Sequence, residues 1–97
     1  MKDDLLKIIN YYGVLNQLKY IHTEYFELDE AIFDCEYDKE WNNEYLKKHI
    51  GEELADVMVM LKQFQYYYDI KDEYVEEIMN NKIERQLERI KNEQGQL

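Results

Sequence analysis

Two acidic pairs carry the chemistry this sequence could do: Glu24-Tyr25-Phe26-Glu27 and, further along, Glu53-Leu54-Ala55-Asp56. On a helix, residues three apart project about 60° from one another, so the two acids of each pair can converge on one cation. If Leu18, Ile21 and Leu28 of one helix face Ile50, Leu54 and Val57 of another, both pairs flank the same contact and four carboxylates share one region. Such crowding is costly without a metal, because like charges raise one another's pKa and burial disfavours ionisation further. Magnesium resolves the conflict: it takes oxygen ligands, keeps several waters and recruits substrate phosphates to complete its shell. Manganese is the natural substitute.

With 22 acidic residues the chain yields many acidic pairs by chance, and most are solvated helix faces, as Glu76-Glu77 and Glu84-Glu88 are read to be. The chosen pairs differ in context, since the acids in TEYFELDEAI and GEELADVMVML interrupt segments that otherwise face a core. A competing parse, Glu27-Leu28-Asp29-Glu30, leaves Glu24 unexplained and places Leu28 inside the motif.

The elements that must position these acids are helices. Asp3 to Tyr12 predicts a short helix, opened by Asp3 and Asp4, stopped by Gly13 and packed as a lid. From Val14 to about Tyr37, Leu18, Ile21, Tyr25, Leu28, Ile32 and Cys35 recur at threes and fours, the period of one helix face. The polar stretch DCEYDKEWNNEY predicts a loop, with a second long helix from near Asn43 to about Tyr68 carrying Leu46, Ile50, Leu54, Val57, Leu61, Phe64 and Tyr68. Gly51 within it costs about 1 kcal/mol relative to alanine, which points to close helix contact, ligand access or simple tolerance. A third long helix follows Asp69-Ile70-Lys71-Asp72, with Val75, Met79, Ile83, Leu87 and Ile90 on one side, and frays into NEQGQL. The expected fold is all-α: an antiparallel helical hairpin with flanking helices, a four-helix-bundle type completed by oligomerisation. Residues 1–97 are read as one domain with its core over 14–90 and a polar tail over 92–97.

Composition narrows the function classes. The formal net charge of -10 disfavours a nucleic-acid polymer or an anionic membrane as partner, though a small anion can bind through metal. Cys35 is the only cysteine, so no intramolecular disulfide and no thiolate zinc cluster can form, and it reads as a packed helix residue. The amino terminus lacks a signal peptide's apolar run and cleavage site, so a cytoplasmic protein is expected. A chain this short leaves apolar stripes over, which predicts a homodimer or homotetramer.

The two motifs together resemble the all-α nucleoside triphosphate pyrophosphatases, whose MazG-like members show ExxE followed one hairpin later by ExxD. Gln17-Leu18 before the first motif, Leu28 after it, Leu54-Ala55-Asp56-Val57 in the second and the late NNKIERQLERI are similar to the family's text, over roughly Val14 to Ile90. Thr23, where the family often has glutamate, and the bulk around Phe26 depart from it without removing a ligand. The resemblance implies hydrolysis of a nucleoside triphosphate to the monophosphate and pyrophosphate, often as house-cleaning of the nucleotide pool. Glu24, Glu27, Glu53 and Asp56 would hold one to three magnesium ions, with Glu24 the candidate base for the attacking water. Lys82 and Arg85, and less so Arg89, could bind the outer phosphates, against an ordinary exposed face paired with Glu84 and Glu88. Gln17, Phe26, Trp41 and Tyr66-Tyr67-Tyr68 could read or stack on a base, although packing suits most of them as well. His22 and His49 receive no role, since magnesium avoids imidazole. The rival functions are a noncatalytic acidic helical interaction module with a vestigial metal site, and a structural protein stabilised by metal.

Overall fold

The computed structural model describes residues 1–37 and 43–95. Four helices, α1 (Lys2–Tyr12), α2 (Val14–Tyr37), α3 (Asn43–Tyr67) and α4 (Asp72–Gly95), account for the secondary structure, and no strand occurs among the described residues. The all-α expectation holds. No described helix is long and apolar enough to cross a membrane.

Gly13 alone joins α1 to α2. Its φ of 91° lies in the left-handed region that side chains with a Cβ resist, and this sharp reversal lets α1 fold back. Its N–H donates to Ile9 O at 2.8 Å, and its own carbonyl accepts from Gln17 N–H at 3.0 Å, so one residue closes one helix and opens the next. Leu5 and Ile9 of α1 are buried, and α1 lies across α3 and α2 as the expected lid.

The buried seam between α2 and α3 keeps Ile21, Leu28, Cys35, Leu46, Ile50 and Val57 of the expected apolar stripe and replaces the others by neighbouring positions. On α2 the inward positions are Gln17, Ile21, Glu24, Leu28, Ala31 and Cys35, whereas Leu18, Tyr25 and Ile32 are exposed. On α3 they are Leu46, Ile50, Glu53, Val57, Met60 and Gln63, whereas Leu54 and Leu61 are exposed. Both sets share the 3.6-residue period, and the true one includes polar side chains that an apolar count skips. An added Cβ on Gly51 would meet nothing within 4 Å, so no close helix approach within the chain requires that glycine.

The polar stretch expected as a loop is helical through Tyr37 and again from Asn43, and the rest of that connection, Trp41 included, lies outside the described residues. The expected fraying of NEQGQL also differs, for α4 continues to Gly95. Its acidic first turn favours the start of this helix through the macrodipole.

A paired carbonyl cap ends α3: Asp69, with φ 55°, donates its N–H to Tyr66 O, and Ile70 N–H reaches Gln65 O, both at 3.0 Å. Asp72 then ties the turn together. Its Oδ1 accepts from Lys62 Nζ and Gln65 Nε2, each at 2.8 Å, and from the Tyr66 hydroxyl at 3.0 Å. Lys62, followed by Gln65 and Tyr66, holds the Asp72 carboxyl below its ordinary 3.8, at about 2. A depressed acid stabilises the fold above its ordinary value, and that contribution is lost as the pH falls from there through about 2. Amide protection at Ile70 to Val75, taken against the intrinsic exchange rate at each pH, should therefore fall between pH 4 and pH 2. Asp72→Asn should reproduce the lowered protection at neutral pH and flatten the acid response; an unchanged acid response in that variant would remove Asp72 as the cause.

Beyond this junction α4 packs on none of the other three helices and has no buried residue. Met79, Ile83, Leu87 and Ile90 are at least half exposed along one side of it.

Candidate metal centre

Register explains how the acids meet. As α2 runs forward and α3 runs back, Gln17 falls opposite Gln63, Glu24 opposite Asp56 and Glu27 opposite Glu53, so each three-residue spacing is mirrored by its partner's. Gln17 Nε2 donates to Gln63 Oε1 at 2.7 Å across the same seam, two helical turns from the acids. Glu24, Glu27, Glu53 and Asp56 each offer a carboxylate oxygen, and these atoms all lie within 4.8 Å of one another.

The site grades from closed to open. Glu24 is 6% exposed and Glu53 is half-buried, whereas Glu27 and Asp56 reach solvent. No lysine or arginine pairs with any of the four among the described residues. Oε2 of Glu24 and Oε2 of Glu53 are buried without a hydrogen-bond partner. A buried carboxylate oxygen with no donor costs several kcal/mol by the usual desolvation scales, roughly 1–3 even by mutational measure. An oxygen-only set with two orphaned buried oxygens fits a hard divalent cation.

The charge of the cluster is visible on its neighbours. The Glu27 carboxyl is pushed up, first by partial burial and then by the neighbouring Glu53, with Asp56 and Glu30 adding to the effect. Tyr20, one turn before Glu24, lines a cavity beside it. Its ionisation is pushed up by the Glu24 carboxylate first, then by burial and by Glu27 and Asp56.

A cavity of about 550 Å³ adjoins the acids, within the range of small-molecule sites. Glu24 and Asp56 stand at one end, Gln17, Met60 and Gln63 form its floor, and Ile8, Tyr12 and Tyr20 stand along its walls.

The remaining expected site residues fare differently. Gln17 is buried and lines the cavity that also reaches Glu24 and Asp56. Lys82, Arg85 and Arg89 lie on the unpacked part of α4, exposed, with Lys82 about 15 Å along the helix axis from Asp72, so a single chain does not bring them to the acids. Phe26 is exposed and absent from the cavity, and Tyr66 belongs to the Asp72 junction instead. Gln63, Tyr12 and Tyr20 went unmarked in the sequence. The signal for Gln63 was available, because seven residues separate it from Asp56 just as seven separate Gln17 from Glu24.

Searches against protein families, curated proteins and solved structures find no match for this chain.

Proposed function

We propose that this chain is a magnesium-dependent nucleoside triphosphate pyrophosphohydrolase of the MazG-like kind. The single observation that carries the reading is the convergence of Glu24, Glu27, Glu53 and Asp56 from two antiparallel helices, with two of their oxygens buried and unpartnered beside a ligand-sized cavity. The resemblance of ExxE and ExxD to that family supplies the reaction class.

Magnesium, or manganese in its place, supplies charge neutralisation for the triphosphate and a more acidic water when bound. Glu24, Glu27, Glu53 and Asp56 would hold the ion as oxygen ligands, and Glu24 is also the candidate base for the attacking water. The water oxygen bonds to the α-phosphorus, the bond to the α,β-bridging oxygen breaks, and pyrophosphate leaves with the electron pair while Glu24 accepts the proton. Tyr20, one turn from Glu24 in the same cavity, stands where its hydroxyl would orient that carboxylate. Catalysis of this kind rests on positioning and electrostatics rather than on a protein nucleophile.

Oligomerisation belongs to the same proposal. The apolar side of α4 and the exposed Leu18, Leu54 and Leu61 are covered in a homodimer or homotetramer, which completes the bundle. Lys82 and Arg85 then reach phosphate from a neighbouring copy. Neither a nucleic-acid polymer nor a membrane is a partner.

The test is to incubate the protein with magnesium and a panel of canonical and modified ribo- and deoxyribonucleoside triphosphates, then to separate the products. Monophosphate and pyrophosphate, abolished by EDTA, are expected. A folded protein that yields no product with any of them overturns the reaction and leaves an interaction module.

A further inference from the structure

The cavity floor holds two buried amides whose hydrogen-bonding capacity exceeds what the fold uses. Gln17 is 7% exposed and Gln63 2%, and one N–H to O bond joins them. A primary amide carries two N–H donors and a carbonyl with two lone pairs. Gln17 Oε1 accepts no hydrogen bond from any described residue, and the other contacts, Gln17 Nε2 and Gln63 Nε2 to Met60 Sδ at 4.0 and 3.7 Å, are to a thioether, a weak acceptor. The linked amides therefore keep an acceptor on Gln17 and donor capacity on Gln63, both residues lining the cavity beside Met60.

Their placement matters as much as their chemistry. Gln17 and Gln63 each stand seven residues from an acid of the cluster, about 10 Å along the helix axes. A phosphate held through a cation at Glu24 and Asp56 would set a base, one sugar away, toward the amides. Tyr12 and Tyr20 line the same cavity and offer ring faces for stacking.

We propose that the Gln17–Gln63 pair reads the nucleobase edge, taking a base that presents a donor and an acceptor on adjacent atoms, as the pairing edges of the common bases do. This rests on the nucleotide reading above and adds to it the residues that set base recognition. Concerted rotation of both amides exchanges donor for acceptor, so the pair recognises the edge pattern in either order. A base methylated at the ring nitrogen of that edge is rejected, because the methyl group displaces a hydrogen bond that the buried amides have no water to replace.

The test compares wild-type protein with Gln63→Met, which keeps side-chain length and removes the amide, on the preferred nucleoside triphosphate and on ribose 5′-triphosphate without a base. Loss of a buried hydrogen-bonded edge should lower kcat/KM for the nucleotide by about 30-fold or more, with the base-free substrate kept within about threefold. A parallel fall on both substrates, or no fall on either, overturns the assignment. Wild-type protein on the nucleotide methylated at its pairing nitrogen needs no altered fold and should show a similar loss; equal turnover of the methylated and unmethylated nucleotides overturns the assignment. Binding of phosphate-free nucleosides, read by saturation-transfer NMR, separates the two proposals. Nucleosides that bind wild type but not Gln63→Met, with no triphosphate hydrolysed, uphold base reading while the hydrolase reading fails. Hydrolysis by wild type that treats base-free and complete substrates alike retains the hydrolase and overturns base reading.

Discussion

Glu53→Gln and Asp56→Asn should each lower magnesium-dependent turnover by about 10²- to 10³-fold, the scale on which single preorganised electrostatic groups act at phosphate and acyl centres. Both replacements keep the shape of the side chain, so the helices should stay intact by circular dichroism. Each removes a negative charge and turns an N–H₂ group toward the place a cation would occupy. Glu53 is the more informative position, since its Oε2 is already buried without a partner and the amide there has no carboxylate left to offer. Glu76→Gln, on the exposed part of α4, provides the control and should leave kcat/KM unchanged. Full turnover in both Glu53→Gln and Asp56→Asn would mean that the four-acid cluster is not the reacting centre.

Magnesium itself should raise the melting temperature sharply, because it binds the folded cluster and finds no such cluster in the unfolded chain. At a hundred times its Kd a folded-state ligand contributes about 2.7 kcal/mol. For a domain of this size that is roughly 10–20 °C. The same substitutions should act in the opposite direction without metal: Glu24→Gln or Glu53→Gln removes like-charge repulsion and raises the metal-free melting temperature while erasing the response to magnesium. Glu27 fixes the pH sign. Its folded pKa is raised above the ordinary 4.5, so its contribution to metal-free stability is present below that value and is lost as the pH rises through the folded pKa. Differential scanning calorimetry at matched ionic strength, with and without magnesium, decides the matter. A melting temperature that ignores magnesium in the wild type would sink the metal centre irrespective of any activity assay.

The helices were legible because their punctuation is local: Gly13 follows the short apolar-periodic run and takes the left-handed break that glycine favours, and the threes and fours of α2 and α3 carry the helical period. The acidic cluster was legible for a related reason, since two pairs with identical three-residue spacing meet in any antiparallel register that matches them. The face was less so. Counting apolar residues selected Leu18, Tyr25 and Ile32, but Gln17, Glu24 and Ala31 lie in the seam, and a polar side chain buried for a site breaks the hydrophobic pattern by its nature. Gln63 was hidden by the same bias. The placement of α4 was not written in its sequence at all, for an amphipathic helix states that its apolar side needs a cover and is silent on which surface provides it.

The division of the cavity between helices separates two properties that a single scaffold often locks together. All four acids stand on α2 and α3, whose packing holds them at fixed mutual distances. Ile8 and Tyr12, on the cavity wall, belong to α1, which is attached to the rest of the backbone through one glycine. Residues on α1 can therefore change the breadth and polarity of the chamber without moving a carboxylate. A lineage descended from this chain could broaden or narrow what enters by drift in its first dozen residues alone, with its charged hearth unaltered.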